Sequence, residues 1–476
     1  MKATPEQQII IDHVKNNDGL TKTSAVAGSG KTTLLVAIAK TLKKYNNASS
    51  GLYLAYNKSI ATEAKKRFPK YVECCTTHSL AYRPTFDLHN LELGMFSYRN
   101  ISDKIKYEDK CALVEHIRKF CLSKHLTFAD YGEEHHLHEK TIELGNKYLG
   151  LMEQGEMVCT HDFYLKLFHI LLAGSHIEYD KFDFVALDEA GDLNAVTLEI
   201  FNLLPTKKKI MVGDPHQNIY MFNHTINCFE VMANEGIMLP MSQSFRVSKE
   251  IASDIEDFCQ RHLDPLIQFK GIEIEDTAIK TRAYISRTNA SLISKMMELN
   301  ERGTKYGLTR TPKQIFQIPL MLCGLKYNGF IPNPEYKHLQ TDINHYFEST
   351  IIRDEYASPL SYLKSVHEDD VPLINALNIV LKYGKKAIIE CYEKAQKHTS
   401  TNQPYILGTS HSTKGLEFDS VEIADDLNTV VLSVLLRART IGADNLSREE
   451  IGELNLYYVA CSRAKKELVN ATCLKL

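Results

Sequence analysis

The sequence predicts an α/β protein whose strands run parallel between flanking helices, and three observations predict it. Strand-like and helix-like stretches alternate over residues 1–83 and again from about residue 160. Several strand-like runs end in acids, among them "FDFVALDE" at 182–189 and "KKKIMVGD" at 207–214. A glycine-rich turn, "AVAGSGKTT" at 25–33, leads directly into the apolar helical run "LLVAIAKTLKKY".

The elements follow in order. After the glycine-rich turn and its helix, "GLYLAY" at 51–56 reads as a buried strand and "NKSIATEAKKRF" as an amphipathic helix. From 84 to 159 the pattern becomes helical and charged, as in "DKIKYEDKCALVEHIRKFCLSKH". The two acid-ended strands come next. A second change spans 306–395, opening with "NGFIPNPEYK" and continuing with the helical "LINALNIVLKYGKKAIIECYEKAQK". The polar run "HTSTNQP" at 398–404 reads as a linker, and "YILGTSHSTKGLEFDSVEIA" returns to strand–loop–strand character.

Bulk properties narrow the function class. At 476 residues the chain is too long for one core and suggests about three domains. No apolar run is long enough to span a membrane, and the N-terminus lacks the apolar core of a signal peptide, so a cytoplasmic location is expected. The cysteines number eleven, with no CxxC pair, which argues for reduced thiols and against zinc or iron–sulfur sites. The net charge of -3 excludes a surface coated in basic groups but is compatible with a locally basic groove. There is no Trp, so any base-stacking platform must use Tyr, Phe or His.

The turn at 25–33 is a phosphate loop with Ala25 in place of the first glycine of the usual pattern. Around Ala27 and Ser29, Gly28 and Gly30 let backbone N–H groups converge on phosphate oxygens, and the helix beginning near Lys31 adds its positive end. Lys31 neutralises the β- and γ-phosphates and Thr32 binds Mg²⁺, so ATP and Mg²⁺ are the expected cofactors. Asp188 then holds the metal, and Glu189 orients and deprotonates the attacking water. An acidic pair after an apolar run is by itself more often a solvated strand end. The upstream phosphate loop reverses that balance.

With these residues in view, the chain resembles the UvrD/Rep-like superfamily-1A DNA helicases, and "YLAYNKSIATEAKKRF" is most similar to the F-box DNA helicase branch, although no F-box is visible. The resemblance covers most of the chain outside the two interruptions. It implies two RecA-like P-loop NTPase domains, each with a mainly helical insertion. Residues 1–83 and 160–247 would form the first motor domain, with 84–159 as its insert. Residues 248–305 and 396–476 would form the second, with 306–395 as a reduced insert.

Residue by residue, the resemblance implies that Gln7 of "TPEQQ" reads adenine and that Phe245 of "QSFRV" stacks on it. Gln217 of "VGDPHQNIYMFN" would touch the γ-phosphate, and Arg246 and Arg463 would reach it as arginine fingers. Gly415 and Glu417 of "GTSHSTKGLEFD" would lie near the nucleotide. The single-stranded DNA track would comprise Tyr56, Asn57, Lys58, Thr77, His78, Tyr220, Phe222, Arg287, Asn289, Thr409 and His411. For Tyr56, a core aromatic under the sheet is a serious competing reading. Two departures matter. Thr33 stands where the family often has an arginine packing on adenine, which implies looser base selectivity. Gly191 stands where the family usually has a glutamine, which implies altered coupling with hydrolysis retained, so that Gly191→Gln would change DNA stimulation.

The function so implied is an ATP-dependent DNA helicase that translocates 3′→5′ on single strands and opens duplex. Its partners would be single-stranded DNA, single-strand/duplex junctions, and replication or recombination proteins. It would act as a monomer, with no membrane association. The alternative is a DNA-stimulated ATPase that strips proteins from DNA without efficient unwinding. A non-motor nucleotide switch is disfavoured, because a switch needs no pair of arginine fingers.

Overall fold

The computed structural model describes residues 3–102, 104–177, 182–219, 225–328, 337–367, 370–397 and 403–476. The chain divides into two compact units, residues 1–245 and 246–476. Both are α/β and, among the described residues, each is built on an all-parallel sheet.

In the first unit the strands are β1 (Gly19–Ala25), β2 (Gly51–Ala55), β3 (Val72–Thr76), β4 (Phe184–Leu187), a short β5 (Leu193–Asn194), β6 (Lys208–Gly213), a short β7 (Thr225–Ile226) and β8 (Ile237–Met241). The main sheet has the order β3-β2-β4-β6-β1-β8, while β5 and β7 form a separate antiparallel ribbon. Alternate residues of each strand enter different cores, as the two-residue period of a strand requires. Leu52, Leu54, Cys75, Val185, Leu187 and Met211 join one cluster, whereas Tyr53, Ala55, Cys74, Phe184, Ala186, Ile210 and Val212 join the other. Helices cover both faces, which is why β2 and β4 read as continuous apolar runs.

The charged helical stretch forms helices Tyr107–Leu122, Phe128–Glu134 and Glu139–Glu153. The chain leaves and returns side by side, Leu93 bridging Cys159. These helices share a core with one face of the sheet through Phe120, Phe128, Tyr131 and Tyr148. The helix His161–Ala173 carries the buried Lys166, whose ammonium donates to the carbonyls of Ser123 (2.6 Å) and His125 (2.8 Å), closing the C-terminal end of Tyr107–Leu122. His169, 3.3 Å from that ammonium, is also buried, and burial followed by the Lys166 charge pushes its pKa down to about 3. Its folded pKa lies below the unfolded value of about 6.5, so its contribution to stability is complete above that value and is lost as pH falls towards 3. We expect the urea midpoint to fall more between pH 6.5 and 4.5 in the wild type than in His169→Gln. The difference should not exceed about 1.4 kcal/mol per pH unit.

Strand β9 (Gln243–Ser248) leads into the second unit and pairs with β10 (Lys270–Ile272). The main sheet of this unit has the order β12-β13-β11-β14-β15, built from β11 (Arg282–Ser286), β12 (Gly307–Leu308), β13 (Tyr405–Thr409), β14 (Phe418–Ile423) and β15 (Ala464–Val469). The second helical stretch includes Pro312–Asn328 and the long Val371–Ala395, which bends at Gly384, where φ is 76°. It packs on the helix Asn289–Glu301 in a core that includes Leu292, Met296, Phe316, Leu377 and Val380. Most of the linker expected at 398–404 and most of "NGFIPNPEYK" lie outside the described residues. Among the described residues, no helix is long and apolar enough to cross a membrane.

Candidate nucleotide-hydrolysis site

Parallel strands deliver their following loops to one edge of the sheet, so the strand order sorts the candidate residues of the first unit. Beyond β3 come Thr77 and His78, and beyond β2 come Tyr56, Asn57 and Lys58. Beyond β4 lie Asp188 and Glu189, beyond β6 Asp214 and Gln217, and beyond β1 the phosphate loop. The expected DNA residues therefore occupy one flank and the expected phosphate residues the middle.

The phosphate loop turns through two left-handed glycines, Gly28 (φ 77°) and Gly30 (φ 84°), and Lys31 begins the helix Lys31–Tyr45. Ala27 and Ser29 are buried, and the Ser29 hydroxyl has no partner among the described residues. Gln7 sits in the first helix, Pro5–Asn16, where its amide oxygen accepts from Thr4 and its nitrogen donates to the Ser29 carbonyl at 3.3 Å. Glu6 beside it accepts from the backbone and hydroxyl of Ser242. The Phe245 N–H donates to the Gly28 carbonyl at 2.9 Å, and its ring, nearly half exposed, flanks Gly30 as the Gln7 amide does. Gln7, Gly30 and Phe245 thus border one space. Thr33 is exposed, and its hydroxyl accepts from Arg67 at 2.9 Å.

Lys31 lies 3.4 Å from Glu189. Burial alone would lower the lysine pKa, but Glu189, Asp214 and Asp188 outweigh it and the net shift is upward. Burial, and next Glu189, raise the Asp188 carboxyl above the usual carboxylate range, opposed by Lys31. Glu189 adopts a left-handed backbone, φ 54°, unusual for a residue with a side chain and a recurrent source of local strain at functional sites. Its N–H donates to Asp188 Oδ1 at 2.9 Å, while Tyr53 on β2 donates its phenol to Asp188 Oδ2 at 2.6 Å. Gln217 is buried and donates to Asp214 at 2.8 Å. A buried hydroxyl without a partner, a lysine among three carboxylates, and glycine-rich backbone at a helix N-terminus fit a phosphate chain carrying a divalent cation. Thr32 and Asp188 are the residues that would hold that cation.

The loops after β4 and β6 are knitted together. Ala190 N–H donates to the Val212 carbonyl at 3.1 Å, and Asp192 Oδ1 accepts from Ile219 N–H at 3.2 Å. Gly191 lies between these bonds, and a Cβ built on it would stand 2.4 Å from the Asp214 carbonyl oxygen. A side chain at this position would require the Asp214 backbone to shift, a steric cost that adds to the sequence-based expectation of altered coupling. Tyr220 and Phe222, which follow Ile219, lie outside the described residues.

Tyr56 stands past the end of β2 and is 44% exposed, so the competing reading as a core aromatic does not hold. Asn57 caps the helix Lys58–Arg67 by accepting from Ile60, and Lys58 is exposed. Thr77 is buried, and His78 lies 3.8 Å from Asp162.

In the second unit the candidates fall on opposite edges of the sheet. Arg287 and Asn289 follow β11, and Thr409 and His411 lie at the same end of neighbouring β13. Arg287 forks onto Glu453 at 2.7–3.0 Å, Asn289 Oδ1 is buried with no partner among the described residues, and Thr409 is buried and bonded to Ser412. At the other edge, Glu417 precedes β14 and pairs with Arg246 (2.8 Å) and Lys465 (2.7 Å). Gly415, left-handed at φ 85°, makes the preceding turn. Arg463 is buried, donating to the carbonyls of Val459 (2.9 Å) and Leu416 (3.4 Å).

Sequence reasoning missed Tyr53, Glu6 and Asp214. Only Asp214 left a signal, as the acid ending "KKKIMVGD".

A family model described as an AAA domain matches residues 7–223, and one described as a UvrD-like helicase C-terminal domain matches residues 361–475. The chain is 28% identical to F-box DNA helicase 1 of Gallus gallus, an alignment covering 100% of this chain and 49% of that protein. It is 26% identical to F-box DNA helicase protein 1 of Schizosaccharomyces pombe, covering 99% of this chain and 58% of that protein. The chain thus spans about half the length of the curated relatives it matches.

Proposed function

Because the chain belongs to the UvrD-like superfamily-1 helicases, we propose that it is an ATP- and Mg²⁺-dependent DNA helicase that translocates 3′→5′ on single-stranded DNA and separates duplex. The observation that carries the proposal is the convergence of Lys31, Asp188, Glu189, Asp214 and Gln217 on the edge that also bears the phosphate loop. Phosphates entering the loop compete with Glu189 for Lys31 and release the Glu189 carboxylate to orient water and take its proton. Thr32 and Asp188 would hold Mg²⁺, which when bound would supply charge neutralisation to the phosphate chain. Gln217 reports the γ-phosphate to the loop that runs on to Tyr220 and Phe222. Arg246 and Arg463 supply charge to the transferring phosphoryl group, a contribution worth about 10³–10⁵ in rate. Their anchoring by Glu417 and by backbone carbonyls supports this role, because a guanidinium already oriented loses less entropy on engaging its target.

Two measurements on the full chain test the proposal. ATP turnover should rise when single-stranded DNA is added; a rate indifferent to DNA overturns the motor. A 3′-tailed duplex should be opened and a 5′-tailed one left intact. DNA-stimulated turnover without strand displacement would instead favour a translocase that clears proteins from single strands.

A further inference from the structure

Asp188 is buried at the end of β4, and its carboxylate is held from two sides. Oδ1 accepts the Glu189 N–H at 2.9 Å, a contact any residue at 189 would provide. Oδ2 accepts the phenol of Tyr53 at 2.6 Å, a contact specific to tyrosine. Tyr53 is fully buried in the middle of β2, which pairs with β4 so that Tyr53 stands opposite Ala186. Residues 184, 186 and 188 face the same side of the sheet, so the phenol meets Asp188 two positions further along. The ring is fixed by Phe68, with centroids 4.7 Å apart. An ionised carboxylate offers about four lone-pair sites. Two are taken by these donors, and the other two remain on oxygens whose plane can no longer rotate.

We propose that Tyr53 is a positioning residue for the divalent cation, fixing the plane of the Asp188 carboxylate and tempering its basicity through the phenol hydrogen bond. The proposal rests on the nucleotide-hydrolysis reading of the site. A purely structural phenol, present only to satisfy a buried oxygen, would affect folding and leave cation binding unchanged. Partners that hold a metal ligand from behind typically alter metal affinity by about 10–100-fold when removed.

The test uses the full chain with a non-hydrolysable ATP analogue and Mn²⁺ as the paramagnetic probe. Tyr53→Phe keeps the ring against Phe68 and deletes only the hydroxyl. Mn²⁺ affinity of the protein–analogue complex, read by electron paramagnetic resonance, should fall about 10-fold or more. Affinity for the analogue in excess chelator should stay within about twofold, the small change expected when the phosphate contacts are untouched. Phe68→Leu loosens the ring and keeps the hydroxyl; it should lower thermal stability and cost less Mn²⁺ affinity than Tyr53→Phe does. Unaltered Mn²⁺ affinity in Tyr53→Phe, or an equal loss in Phe68→Leu, overturns the positioning role alone. A wild-type chain that binds the analogue but no Mn²⁺ overturns the hydrolysis reading together with it.

Discussion

Glu189→Gln is expected to lower ATP turnover by about 10²–10⁴-fold, the usual worth of a positioned general base, while nucleotide still binds. Glutamine keeps the size of the side chain and tolerates the left-handed backbone about as well as glutamate, so the loop at φ 54° should persist. It cannot accept the proton of water. It also removes the charge that holds Lys31 at 3.4 Å, leaving the ammonium free for phosphate. Binding of a fluorescent nucleotide should therefore be unchanged or tighter. Single-turnover hydrolysis and equilibrium titration on the same preparation check the two halves. Turnover within about tenfold of wild type would move the base elsewhere, Asp214 being the nearest alternative by its influence on Lys31.

Gly191→Ala is expected to be nearly as damaging as Gly191→Gln, because the collision lies at Cβ. A methyl group 2.4 Å from the Asp214 carbonyl must part the loops after β4 and β6. Those loops carry Asp188 and Glu189 on one side and Asp214 and Gln217 on the other. The bonds from Ala190 to Val212 and from Ile219 to Asp192 lie on either side of the contact and would be strained together. Overpacking of this kind costs about 1–3 kcal/mol, and ATP turnover should fall at least about tenfold, the factor that 1.4 kcal/mol of misplacement represents. Urea midpoints and ATPase rates of the two variants, measured side by side, decide the point. A Gly191→Ala protein indistinguishable from wild type would mean that the loops yield. Loss confined to the glutamine variant would favour the expectation that this position governs coupling.

Much of the first sheet was legible because strands covered on both faces are apolar throughout, as in residues 184–187 and 210–212. The phosphate loop was legible because glycine, lysine and threonine at fixed spacing have few other uses. The neighbours that these residues acquire were not legible. In the strand Gly51–Ala55 every position is buried, and nothing local says that the phenol of Tyr53 faces a carboxylate 135 positions away. Gly191 shows a different limit. Comparison with a family pattern asks which side chain is missing, whereas the fold asks whether any side chain fits. Nor does the run at 207–209 announce its partners: Lys208 donates to the carbonyls of Val14 and Asn17 and Lys209 to that of Asn202.

The strand order of the first unit also has a consequence in time. Among the described residues β1 is flanked only by β6 and β8, so the strand that holds the phosphate loop is synthesised well before either of its sheet neighbours. At ordinary synthesis rates, about 10–40 s separate the emergence of Ala25 from that of Lys208. During that interval β2, β3 and β4 can pair with one another, and β1 cannot join them. The phosphate loop therefore gains the support of β6 only after the intervening strands have been made.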